Sequence, residues 1–265
     1  MGKRVKAAEV FARRVVEREL KRPVVINDDN SAPGMYDLRV GSADAPEIAI
    51  ECVGAVDQTY TETWNVGPAR GPLHLSVKGD WTVEIAPTAR VNAVKKGLEQ
   101  LLKELEERGL YNVYVDYRLE WQDADLFGKF DSLKITHALC YTQQGAGKVY
   151  LGMPGAGGAV DDQGRAVPAW VGEFLRDPSK QDVLSKLQRS GAPERHVFVI
   201  ASLMGTPWEV ESYLIGDLNH LPSKAPDLPP PVTGVWIVPG MGQKGIRWDG
   251  NSWRFFDARG EGIHN

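Results

Sequence analysis

The stretch Gly34–Asp57, GMYDLRVGSADAPEIAIECVGAVD, carries the pattern that decides the fold. It alternates like a β-hairpin. Tyr36, Leu38 and Val40 fall on one face of a first strand, and Ile48, Ile50 and Cys52 on one face of a second. Those six are expected to pack into a core. Asp37, Arg39 and Glu51 then share the opposite face. If the hairpin is centred on Asp44, Asp37 lies opposite Glu51. Facing side chains in an antiparallel pair have Cβ atoms about 5 Å apart. Two carboxylates that close repel unless a cation sits between them or one takes a proton. A hard divalent ion such as Mg2+ suits such a pair. A half-exposed hairpin also puts polar residues on its solvent face, and that reading stands beside the first. The run after Glu51, from Val53 to Val56, is small or apolar, so Glu51 stands alone in an apolar strand. Asp57 ends the run as a further ligand or as a turn or cap residue.

Helix, strand, strand with Asp, strand with Glu resembles the PD-(D/E)XK nuclease superfamily, which includes many restriction endonucleases. In that family the Asp and the Glu bind Mg2+, and a Lys two residues after the Glu helps activate water. Asp37 matches the first position and Glu51 the second. The third is Val53 instead of Lys, and the residue before Asp37 is Tyr36 instead of Pro. The match covers the first third of the chain. The resemblance implies that a basic group comes from elsewhere, with Arg39 and Lys78 as candidates. It also implies that a Glu on the first helix, Glu9 or Glu17, joins the metal.

The composition is that of a globular protein, with 42% apolar and 25% charged residues. A formal net charge of -4 gives no global basic field, which argues against a nonspecific nucleic-acid-coating protein. A nuclease needs only a local basic groove. Cys52 and Cys140 sit in apolar strand-like contexts and read as small buried hydrophobes, with no Cys/His cluster for zinc. The first twenty residues form a basic amphipathic helix without the apolar core of a signal peptide. No apolar run approaches a membrane span, so a cytoplasmic protein is expected.

Along the rest of the chain, a helix is expected from Val5 to Leu20 and a short strand from Pro23 to Asn27. Asp28, Asp29 and Asn30 read as a solvated turn. Gln58–Pro72 reads as a loop. Leu73–Val77 and Trp81–Ala86 read as a strand pair turning at Lys78–Asp80. The clearest helix is Ala89–Arg108, with Thr88 as N-cap and Gly109 as stop. Tyr111–Trp121 reads as a strand. GAGK at Gly145–Lys148 lacks the phosphate-loop spacing, and GAGG at Gly155–Gly158 lacks the dinucleotide-binding spacing; both read as loops. A second helix starts at Asp177–Pro178 and stops at Gly191, followed by the strand His196–Ser202. Either helix–strand pair can serve as the core crossover, the other helix then being an insertion. Leu221–Pro239 is an extended connection leading into a strand. Ile246–Ala258 is a terminal hairpin turned at Asp249–Asn251. Five scattered histidines and the absence of GxSxG argue against a serine hydrolase.

The expectation is therefore an α/β protein with a restriction-endonuclease-like mixed sheet flanked by helices. The core would occupy residues 1–202, with an inserted hairpin and loops, and 203–265 would form a C-terminal elaboration. The expected activity is Mg2+-dependent hydrolysis of a nucleic-acid phosphodiester. Asp37 and Glu51 would hold the metal, Glu17 or Glu9 would complete its shell, and Arg39 would stabilise the transition state. Two rivals remain: an inactive binding or regulatory module on the same fold, supported by Val53, and an unrelated α/β enzyme acting on small molecules.

Overall fold

The computed structural model describes residues 6–28, 34–154, 160–202, 205–216, 218–240 and 244–258. Asp29, Asn30, Gly155–Gly158 and His264 lie outside the described residues. The chain forms two compact units, residues 1–56 with 157–265, and residues 57–156. Each is built on a mixed sheet flanked by helices.

The first unit opens with α1 (Ala7–Leu20), β1 (Val25–Ile26), β2 (Leu38–Gly41) and β3 (Pro46–Ala55). In the β2–β3 pair Leu38 faces Ile50, Arg39 faces Ala49 and Val40 faces Ile48, the register of a hairpin centred on Asp44. A register shift after Val40 absorbs the loop. Gly41 takes φ +95° there, a conformation that favours glycine.

The second unit then begins. It contains α2 (Gln58–Val66), β4 (Leu73–His74), β5 (Asp80–Ile85), α3 (Val91–Glu107), β6 (Asn112–Tyr114), α4 (Tyr117–Gln122), α5 (Ala124–Leu133), β7 (Ile135–Thr142) and β8 (Lys148–Gly152). Its sheet order is β4-β8-β5-β7-β6. Val94, Leu98, Leu101, Leu102 and Leu105 of α3 recur at helical spacing and pack with Val83, Phe130, Ala138 and Leu151.

Several local expectations change here. The segment read as a loop is helical from Gln58, because the Asp57 carboxylate accepts the Tyr60 N–H and caps α2. Asp57 is thus a cap. The strand expected over Tyr111–Trp121 stops at Tyr114, because Asp116 accepts the N–H groups of Arg118 and Leu119 and starts α4. β4 and β5 do not form a hairpin. β8 lies between them, antiparallel to β4 and parallel to β5. Arg90, not Thr88, precedes α3, while Gly109 ends it at φ +68°.

The chain returns to the first unit through α6 (Val167–Arg176), α7 (Gln181–Arg189), β9 (Glu194–Ala201), α8 (Trp208–Ile215), β10 (Gly234–Pro239), β11 (Lys244–Trp248) and β12 (Trp253–Asp257). Asp177 caps the 3-10 turn Pro178–Lys180 that leads into α7. β9 runs parallel to β3 on one side and to β10 on the other. The complete order is β1-β2-β3-β9-β10-β11-β12. Helix α7 and strand β9 are therefore the crossover, and α3 belongs to the second unit. Residues beyond 202 continue the same sheet with β10, β11 and β12.

Both faces of this sheet are covered. Phe11, Ala12, Val15 and Val16 of α1 pack on one face with Leu38, Val40, Ile48, Ile50, Phe198 and Trp236. On the other, Val171 and Leu175 of α6, Leu184 and Leu187 of α7 and Leu214 of α8 pack with Ala49, Val197, Val199 and Ile237. That explains why β9 and β10 are nearly continuous apolar runs. Tyr36 joins the second cluster, not the first as its alternation implied, because it precedes the start of β2. Among the described residues, no helix is long and apolar enough to cross a membrane.

Truncation of Leu187, which is fully buried under α7, tests the crossover. Leu187→Ala should lower unfolding stability by about 2–5 kcal/mol, read from urea denaturation of the whole protein. A loss below about 0.5 kcal/mol would mean that α7 is not packed on the sheet as described.

A buried carboxylate pair beside a lysine

Asp37 and Glu51 are brought together. Asp37 is 2% exposed and Glu51 3%. Glu51 sits within β3, on the side of the sheet facing α7, and Asp37 lies one residue before β2. The Asp37 Oδ2 accepts the Cys52 N–H at 2.7 Å, which fixes the carboxylate against β3. The Asp37 charge acts directly on Glu51 and raises its pKa. The solvated-hairpin reading therefore fails, because helices cover the polar face that it required to be wet.

Two charged residues from elsewhere complete the cluster. Glu9, 5% exposed, comes from the first turn of α1 and acts electrostatically on Asp37. Lys6 Nζ lies 2.9 Å from Glu9 Oε1. From the other side, Lys186 of α7 places Nζ 3.4 Å from Glu51 Oε1 and 3.2 Å from Asp182 Oδ2. The contact with Glu51 is an ion pair without hydrogen-bond alignment, so this buried Oε1 has no hydrogen-bond partner.

Burial dominates the electrostatics. It raises the Glu51 pKa to about 9, with help from the Asp37 charge and against the pull of Lys186. Burial also raises Asp37, against the stabilising Cys52 N–H, and the Glu9 charge adds to the rise. Near neutral pH the pair therefore holds a proton, carried by Glu51. For Lys186, burial works against the ammonium, but Glu51, Asp182 and Asp37 outweigh it and its pKa is raised. Lys186 is a cation held against a protonated acid.

No family model, curated protein or solved structure matches this chain.

The other sequence candidates make these contacts. Arg39 donates from Nη1 to Asn27 Oδ1 at 2.9 Å. Glu17 lies two turns beyond Glu9 on α1, and its Oε1 accepts the Val24 N–H. Lys78 belongs to the second unit, where its N–H meets Glu106. Val53 packs against the core on the α6–α8 side. Lys186 escaped sequence reasoning because a lysine between Leu184 and Leu187 on a short amphipathic helix looks like solvated surface. The available signal was that this helix precedes an apolar strand fit to pair with β3.

Among the described residues, no group of three or more His, Cys, Asp and Glu side chains is arranged to hold a metal ion. That does not conflict with Mg2+, which keeps several waters and is commonly held by one or two carboxylates plus substrate phosphate. The unpartnered, buried Glu51 Oε1 is a hard oxygen of the kind such an ion takes as a ligand. Open cavities of about 440 Å³ and about 470 Å³ lie at Glu62–Ala93 and Val160–Glu209, lined by other residues.

The raised Glu51 pKa has a definite sign. The folded state binds a proton that the unfolded state has lost, so stability is full below about 4.5 and falls as pH rises towards about 9. Glu51→Gln should flatten this slope and stabilise the protein by roughly 3 kcal/mol at pH 7. Thermal melts of both proteins across that range check it. A Gln variant that melts below the wild type at pH 8 would contradict a protonated Glu51.

Proposed function

We propose that the protein is a Mg2+-dependent nuclease of the PD-(D/E)XK type, hydrolysing a nucleic-acid phosphodiester. One observation carries this reading: two buried carboxylates, Asp37 just before β2 and Glu51 within β3, lie together, and a lysine from the crossover helix reaches Glu51. The order α1, β1–β3, α7, β9, with β9 parallel to β3, agrees with the helix, antiparallel strands, helix, strand that the family requires. Lys186 supplies a basic group where Val53 does not.

Asp37 and Glu51 would hold the Mg2+, with Glu9 next to Asp37 as the helix-borne carboxylate. The metal supplies charge neutralisation on the phosphate and a lowered pKa for water. Loss of the Glu51 proton converts the pair into two carboxylates, so metal affinity rises with pH up to about 9. Lys186 directs its ammonium at the same place and donates to the attacking water or to a phosphoryl oxygen. Asp182, one turn earlier on α7, restrains Lys186. Water loses a proton as its oxygen bonds to phosphorus, the bond from phosphorus to the leaving sugar oxygen breaks, and that oxygen takes up a proton.

The inactive-module reading rests on the missing motif lysine at Val53, and Lys186 offers a basic group from another position.

The test uses calorimetric Mg2+ or Mn2+ titration together with cleavage of labelled DNA and RNA. Wild type should bind and cleave, while Asp37→Ala and Glu51→Gln should lose metal binding. Lys186→Ala should retain metal and lose about 10²- to 10⁴-fold in cleavage rate. Wild type that binds metal but cleaves neither polymer would turn the site into a binding module. Cleavage unchanged by Lys186→Ala would remove the role given to that residue.

A further inference from the structure

The sheet of the second unit is covered on one face only. Val83, Val113, Ala138 and Leu151 point into its core with α3 and α5. The alternate residues form the other face. Strand register aligns Tyr150, Thr82, Leu139 and Asn112 in a row across β8, β5, β7 and β6. Tyr141 stands beside Tyr150, with ring centroids 6.4 Å apart and planes at 47°. The rings are tilted rather than stacked on each other. Tyr141 is 50% exposed and Tyr150 42%. Clustered exposed apolar groups on a folded unit mark a binding surface more often than chance.

The charges on this face are unevenly arranged. At one end Glu84 lies 3.9 Å from His137 Nδ1, while His137 Nε2 meets Asn112 Oδ1 at 2.9 Å. Tyr114 stacks on the same imidazole at 3.8 Å. That corner is internally satisfied. At the other end Lys148 shares the face of Tyr150 two residues on, and His74 stands opposite Lys148 in the β4–β8 ladder. Asp80 nearby accepts the backbone N–H groups of Ala146 and Lys148. The aromatic pair thus adjoins Lys148, whose charge the Asp80 carboxylate on the same face partly offsets.

We propose that this face binds single-stranded nucleic acid, with Tyr141 and Tyr150 each stacking a base and Lys148 and His74 meeting phosphate. Bases within a duplex present no ring face, whereas unpaired bases stack on exposed aromatic side chains of a sheet. Resting on the nuclease reading above, this makes unpaired strands the substrate class. The binding itself does not depend on the carboxylate site.

Fluorescence anisotropy of the full chain with a labelled short oligothymidylate, in EDTA, tests the proposal. Wild type and Glu51→Gln should bind alike, and a blunt duplex should bind much more weakly. Tyr141→Ala and Tyr150→Ala should each weaken binding about tenfold or more. Tyr141→Phe and Tyr150→Phe should preserve it, because stacking needs the ring and not the hydroxyl. The salt slope should be shallow and fall by about 0.7 in Lys148→Ala. Both tyrosines are surface residues, so the alanine variants should keep the wild-type circular dichroism and melting temperature. No binding by wild type, or unchanged binding by a folded Tyr141→Ala/Tyr150→Ala variant, overturns the proposal. So does self-association that the double variant abolishes in a protein that binds no oligonucleotide, since the face then belongs to a second copy. Loss of cleavage with oligonucleotide binding intact counts against the nuclease reading alone.

Discussion

The parallel ladder between β3 and β9 is the interaction on which the first unit depends. Its register runs from Ile48 against Glu194 to Ala55 against Ala201. Parallel neighbours cannot be joined by a tight turn, so the chain must cross over the sheet to return. The crossover ends in α7, whose Leu184 and Leu187 bury themselves against that face. Seating those two leucines brings Lys186 to Glu51. The same ladder leaves β9 with a strand on each side and helices on both faces, which its apolar run HVFVIA satisfies.

Within this frame the buried acids create an electrostatic problem. Two carboxyl groups are held in contact with little access to water, and a third, Glu9, lies near. Desolvation and mutual repulsion both disfavour a fully ionised pair. The fold answers with a backbone N–H to Asp37, an ammonium beside Glu51 and a proton on Glu51. Such buried, strongly perturbed carboxyl groups are enriched at functional sites, although structural ion pairs perturb pKa values too.

The second unit solves a different packing problem. Its five strands bury one face under α3 and α5 and leave the other open, where Tyr141 and Tyr150 stand exposed. The unit enters the chain directly after β3, the strand that carries Glu51. It leaves before α6, and the first unit resumes its own sheet as though uninterrupted.

Local periodicity alone determined the β2–β3 hairpin, the opposition of Asp37 and Glu51, the α3 helix with its leucine stripe and the terminal β11–β12 hairpin. Each depends on neighbours close in sequence, whose alternation or helical spacing has a single sensible face. Local side-chain capping by Asp57 and Asp116 overrode the pattern at α2 and α4, where the apolar spacing was weak. Only the tertiary structure decided which helix–strand pair crosses over, because both pairs carry the same amphipathic signal. It alone brought Lys186 to Glu51 and Glu9 close to Asp37. Proximity across a sheet is set by strand order and by the seating of a helix on it, and neither leaves a trace in the spacing of the residues concerned.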